Sequence, residues 1–222
     1  MASKQPKNMF IIGAPCTGKT TLLNALKDHL EQTALSAPGS REPRYISEVA
    51  RTVMKQLHLD RNDIVMSSER SLRLQRAILD AQYQAELPTA NGSTDWYISD
   101  RSGIDPIVYA LLYVSEQGTD ELLASNILQA LAQKMREGLV FICEAGCSWL
   151  ADDGVRLMPG SEEDWSRFDF AFQCLLKENE IDYHLISKDT NSLEARVDQI
   201  LRALEQHALR DTTRLPRCLP RA

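Results

Sequence analysis

Gly13-Ala14-Pro15-Cys16-Thr17-Gly18-Lys19-Thr20 satisfies the pattern G-x-x-x-x-G-K-[ST]. The chemistry needs these types at this spacing. Glycines let the backbone curl so that successive N–H groups converge on an anion. The loop runs into a helical pattern, and a helix N-terminus favours phosphate oxygens through its dipole and free N–H groups. Lys19 adds a full positive charge, and the Thr20 hydroxyl is a ligand type suited to Mg²⁺. The plainer alternative is an ordinary strand-to-helix turn. Cys16 reads as a small residue tolerated inside the loop, with a reactive thiol as the lesser reading.

Three more places carry residue types suited to phosphate chemistry. In "RYISEVAR", Glu48 follows an extended segment and Arg51 lies one helical turn on. Such a carboxylate can take a proton from an attacking hydroxyl or hold a metal-bound water. The arginine suits a phosphate or carboxylate on the substrate. The alternative is a helix-start acid with a surface partner. In "WYISDRSGIDP", Asp100-Arg101 closes a four-residue extended run. An acid there is placed for Mg²⁺, and the guanidinium offers a fork to an anion. Residues after "LVFICEAGC" are polar and include Arg156 and Arg167, which suit a lid closing over a transferring phosphate. A plain surface loop is the competing reading. Ser187 to Ser192 is a weaker candidate for contact with a base through Lys188 and Asp189.

Alternating elements must bring these residues together. Apolar runs predict strands at Met9–Ile12, "RYISEVA", "DWYISD", Leu139–Ala145 and "YHLIS". Helices are predicted over Lys19–Leu35, Arg51–Leu57, Ser67–Leu87, Ile107–Glu116, Thr119–Arg136, Trp165–Glu180 and Ser192 to about Leu209, with Gly118 separating the fourth and fifth. Strands separated by helices imply a parallel sheet covered on both faces, with ligands beyond the strands' carboxyl ends. That places the loop, Glu48 and Asp100-Arg101 on one edge.

The chain has 222 residues and a net charge of −6, which argues against a general nucleic-acid binder. "MASKQPKN" has no apolar core of a secretory signal, and no run reaches the ~18–20 residues of a membrane span. The expectation is a cytoplasmic protein without a membrane span. Cys16, Cys143, Cys147, Cys174 and Cys218 have irregular spacing and read as free thiols, not as a zinc site. The four histidines have no ligand or triad spacing. Residues 1–210 are read as a single domain with a lid at about 147–167, and 211–222 as a loose tail.

In order, "GAPCTGKTT", "SEVAR", "SDRSGIDP" and "DDGVRLMP" resemble the small P-loop domains labelled AAA-type. They are similar to the ribosylnicotinamide kinase domain of bacterial NAD-biosynthesis regulators and, more distantly, to nucleoside and thymidylate kinases. The resemblance covers roughly Met9 to Leu204 and implies a P-loop three-layer α/β sandwich of about five parallel strands. It implies that Gly13, Ala14, Pro15, Cys16, Thr17, Gly18, Lys19, Thr20 and Thr21 hold the phosphates of ATP or GTP, and that Thr20 and Asp100 serve Mg²⁺. Glu48 or Asp100 would activate an acceptor hydroxyl, Arg101 would hold the acceptor or product, and Arg156 and Arg167 would act from the lid. The expected function is transfer of the γ-phosphate to a hydroxyl of a small molecule. The alternative is a regulatory ATP- or GTP-binding protein with slow hydrolysis and a protein or lipid partner. The oligomeric state is open, a homodimer included. The AAA label does not imply an unfolding motor, which needs a larger module.

Overall fold

The computed structural model describes residues 7–36, 42–88, 96–146 and 161–213. Five strands form one wholly parallel sheet: β1 (Met9–Gly13), β2 (Arg44–Ile46), β3 (Tyr97–Asp100), β4 (Leu139–Cys143) and β5 (His184–Ile186), in the order β2-β3-β1-β4-β5. β1 is central, and every residue of "MFIIG" is buried. Side chains alternate across a strand, so Met9 and Ile11 enter one apolar layer and Phe10 and Ile12 the other. This double burial is why the segment reads as a continuous apolar run.

The helices among the described residues are α1 (Lys19–Ser36), α2 (Val49–Leu57), α3 (Arg61–Met66), α4 (Ser68–Glu86), α5 (Ile104–Tyr113), α6 (Glu116–Leu123), α7 (Asn126–Glu137), α8 (Glu162–Glu178) and α9 (Leu193–Thr213). α1 and α9 cover one sheet face through Leu22, Leu26, Val197 and Ile200. α5, α7 and α8 cover the other through Ile107, Val108, Leu131, Phe168 and Phe172. A third apolar cluster, Val53, Ile64, Leu74 and Ile78, joins α2, α3 and α4 into a shoulder beside the sheet. This is a P-loop three-layer α/β fold, as expected.

Several helix boundaries differ from the sequence expectation: α2, α5 and α8 begin earlier, at Val49, Ile104 and Glu162, and α9 runs on to Thr213, into the expected tail. Gly118 does not separate helices; it lies buried inside α6, where a Cβ would come within 2.9 Å of Leu72 and Val114 side chains. Close packing, not a turn, requires glycine there. The predicted helix Thr119–Arg136 is instead broken at Ala124–Ser125. Ser125 ends the run by taking up the N-cap position of α7, where its hydroxyl accepts from the Ile127 N–H at 3.2 Å. The short helix α3 was not predicted. It is opened by a reciprocal capping box between Asp60 and Asp63.

The carboxyl ends of β1, β2 and β3 open on one edge. Gly13, at the end of β1, has φ +131°, and a Cβ there would lie 2.4 Å from the Cys143 carbonyl oxygen on β4. Only glycine lets the chain turn out of the sheet at this point. No helix among the described residues is long and apolar enough to cross a membrane.

Candidate active site

The phosphate loop leaves β1 at Gly13 and enters α1 at Lys19. Cys16 and Gly18 take positive φ of 57° and 77°, the backbone reversals that close the loop. Lys19 folds back over it: its Nζ donates to the Ala14 carbonyl at 2.5 Å and to Thr17 Oγ1 at 3.2 Å. Thr17 Oγ1 in turn donates to Ala14 O at 3.0 Å. Lys19 is 2% exposed. Burial, reinforced by the Arg101 charge, pulls its pKa down to about 8.

β3 delivers Asp100 beside this loop, where its Oδ2 accepts from Thr20 Oγ1 at 2.5 Å. Its other oxygen, Oδ1, is buried without a hydrogen-bond partner among the described residues. A buried carboxylate oxygen left open is costly. Next to a threonine hydroxyl at a phosphate loop, it fits a hard cation such as Mg²⁺.

Arg101 is the centre of a buried ionic cluster. Its Nη2 donates to Glu48 Oε1 at 3.0 Å, and its Nη1 donates to Asp105 Oδ1 at 3.2 Å and to the Gly13 carbonyl at 3.4 Å. Arg51 Nε donates to the second Glu48 oxygen at 3.1 Å. Ser102 supplies its N–H and hydroxyl to Asp105 Oδ2 at 2.8 and 3.0 Å. Burial works against the guanidinium's charge, but Glu48, Asp105 and Asp100 hold its pKa well above the usual arginine value. Burial pushes the Asp105 carboxyl up, against the pull of Arg101 and Lys19. Arg101 also has φ 93°, a strained conformation for a residue with a side chain, and such strain concentrates at functional sites.

Behind the cluster lies a cavity of about 680 Å³ between α2, α3, α4 and α5. Glu48, Arg101 and Asp105 form its inner wall, while Met54, Leu59, Ile64 and Ile78 make it largely apolar. Two carboxamides of α4 enter it. Gln75, 2% exposed, makes no hydrogen bond among the described residues. Gln82 donates to Glu86 Oε1 and Ser99 Oγ at 2.8 and 3.1 Å, and its own oxygen is buried without a partner. A volume of this size suits a small organic molecule.

The structure therefore brings together Lys19, Thr20, Glu48, Asp100 and Arg101. Arg167 does not join them: it lies 60% exposed on α8, 3.7 Å from Asp164, in a groove with Leu111 and Phe170. Arg156, with Asp152, Asp153 and most of the expected lid, lies outside the described residues. Asp105 is not among the residues the sequence singles out: it lies in the first turn of α5, while Arg101 precedes the helix with φ 93°, so no helical spacing marks the pair. Gln75 and Gln82 share a face of α4 with Leu74 and Ile78, while Arg73 and Arg76 point to solvent.

A family model described as an AAA domain matches residues 8–196, and the chain belongs to that family. A search of the curated proteins finds no match. Among solved structures, NadR protein in complex with NR superposes with a TM-score of 0.64 at 19% identity, over 90% of this chain and 52% of that one. NadR in complex with NAD and AMP-PNP gives 0.61 at 18%, over 90% and 50%. The chain thus spans about half the length of the NadR structures. Thymidylate kinase from Ehrlichia chaffeensis gives 0.57 at 16%, over 91% and 100%. The likeness is one of fold.

Proposed function

We propose that this member of the AAA-domain family is a phosphotransferase that moves the γ-phosphoryl group of ATP or GTP to a hydroxyl of a small-molecule acceptor. One observation carries the reading. Arg101 ties the phosphate loop at Gly13 to Glu48 and to the wall of the apolar cavity. A donor site and an acceptor-sized cavity thus share one buried wall. A protein that only bound nucleotide would have no use for that junction.

In this reading residues Gly13 to Thr21 hold the β- and γ-phosphates, with Lys19 drawn out of its contacts by their charge. Thr20 and Asp100 would hold Mg²⁺, which when bound neutralises charge on the phosphate oxygens. The acceptor lies in the cavity with its hydroxyl at Glu48. Glu48 takes the hydroxyl proton as the oxygen attacks the γ-phosphorus, and the bond to the bridging oxygen breaks to release ADP or GDP. Arg101 neutralises charge on the transferring group, and Arg156 would act from the lid expected at about 147–167; Arg167, turned to solvent on α8, takes no part. The NadR structures hold NR, and NAD with AMP-PNP. NR and other ribosides therefore head the acceptor panel.

The test is acceptor-dependent ADP production across nucleosides, ribosides and other hydroxylated metabolites. At least one should raise turnover well above basal hydrolysis. Tight nucleotide binding with no responsive acceptor would favour the regulatory reading instead.

Lys19 gives a second expected outcome. Its folded pKa of about 8 lies below that of an unfolded lysine. The folded chain without nucleotide therefore binds fewer protons between about pH 8 and 10.5, and its stability rises with pH across that window. Phosphates favour the charged form, so nucleotide binding should take up a proton above about pH 8 and weaken as pH rises further. Calorimetry of AMP-PNP binding at pH 8.5, in buffers of different ionisation enthalpy, measures the uptake. No buffer dependence would remove Lys19 from the binding step.

A further inference from the structure

Arg196 is among the largest wholly buried side chains of the molecule, 1% exposed. It lies in the first turn of α9, whose start is held by the Ser192 hydroxyl, an acceptor for the Ala195 N–H at 3.2 Å. Val197 and Ile200 seat that turn on the apolar layer shared with β1 and α1. From there the Arg196 guanidinium reaches back across 179 positions of sequence. Its Nη2 donates to the Thr17 carbonyl, inside the phosphate loop, at 3.1 Å.

Burying a guanidinium is expensive, and an apolar residue would fill a helix–sheet layer at less cost. What the arginine does to the loop supplies a reason. A trans peptide is planar, with its C=O and N–H on opposite sides. A Thr17 carbonyl turned toward Arg196 therefore turns the Gly18 N–H the other way. Gly18 sits at φ 77°, where the backbone has little intrinsic preference to hold that peptide in place. The other contacts of Thr17 run through its hydroxyl, to Ala14 and Lys19, and leave the peptide plane unset.

We propose that Arg196 is a positioning residue of the phosphate loop: by holding the Thr17 carbonyl it aims the Gly18 N–H at the nucleotide's phosphate. The proposal rests on the loop binding nucleotide, as in the function proposed above, but not on phosphoryl transfer. Arg196 touches no reacting atom. It should therefore act on nucleotide affinity and leave the chemical step alone.

The experiment compares Arg196→Met and Arg196→Lys with the natural chain. AMP-PNP binding is measured by calorimetry, kcat and the acceptor KM at saturating nucleotide, and the Gly18 amide by ¹H–¹⁵N spectra. Loss of one charge-assisted hydrogen bond should weaken AMP-PNP about tenfold or more in Arg196→Met. Arg196→Lys should recover part of the loss. The Gly18 amide signal should move in both variants without nucleotide, while kcat and acceptor KM stay within about threefold, since neither depends on this bond. Unchanged affinity with an unmoved Gly18 signal would overturn the proposal, as would a fall in kcat equal to the fall in affinity. Should Arg196→Met lack a cooperative unfolding transition, Arg196→Lys decides alone by the same two readouts. Nucleotide binding by the natural chain with no acceptor-dependent turnover would defeat the proposed transfer and leave this inference standing.

Discussion

Arg101→Met is expected to cost about 3–5 kcal/mol of folding stability, the range for breaking a buried ion pair by removing one partner. Domains are stable by roughly 5–15 kcal/mol in all, so the loss would consume much of the total. The cause is specific. Arg101 donates to Glu48, Asp105 and the Gly13 carbonyl, and it is the cation that joins the two carboxylates. Methionine fills similar volume but takes the guanidinium away from both carboxylates, in a wall that is largely apolar. The strained φ of 93° is held by the same contacts and by the Arg101 N–H, which donates to the Ile11 carbonyl at 3.0 Å. Urea denaturation measures the effect. A midpoint equal to that of the natural chain would show that the cluster contributes nothing. Arg101→Lys keeps the charge without the fork and should fall between the two.

Glu48→Gln should lower kcat by roughly 10²–10⁴, the usual contribution of a general base, and leave nucleotide affinity unchanged. Glutamine is nearly isosteric, and its carbonyl oxygen can still accept from Arg101, while its NH2 faces Arg51, whose 40% exposed side chain can turn to water. What is lost is the capacity to take a proton. Glu48 accepts hydrogen bonds from Arg51 and Arg101, on the cavity side of the cluster. Retained transfer in this variant would move the base to Asp100. In that event Asp100→Asn should remove transfer and also weaken metal-dependent nucleotide binding, because Asp100 contacts Thr20. Asp100 serves the metal under either assignment, so the two are separated by whether Glu48→Gln keeps or loses transfer.

The residues of the proposed site that were legible in the sequence are those whose signal is local. The phosphate loop is eight consecutive residues, and Glu48 and Asp100-Arg101 each follow a recognisable strand. Their meeting could be inferred because parallel strands carry their carboxyl ends to one edge. The Arg101 to Asp105 pairing is close in sequence but was not legible, because Arg101 precedes α5 with a positive φ and no helical period links the two. Gln75 and Gln82 required the phase of α4: only the face shared with Leu74 and Ile78 looks into the cavity. Arg196 was not legible at all. Its partner lies 179 positions away, and no periodicity marks an arginine that turns inward from an amphipathic helix. The central strands β1, β3 and β4 were legible as short buried runs, and the edge strands β2 and β5 only as extended segments between helical patterns. The break at Ser125 was missed because a capping serine inside a helical period looks like a solvent-facing position.

The central claim is that the γ-phosphoryl group goes to an acceptor in the cavity and not to water. The most direct measurement follows the fate of that group. The protein is incubated with ATP labelled in the γ-phosphate and the acceptor that most raises turnover, and the products are separated. The account predicts label in a phosphorylated acceptor, in step with ADP formed, and loss of that product in Glu48→Gln. Label appearing only as inorganic phosphate, with or without acceptor, would contradict it.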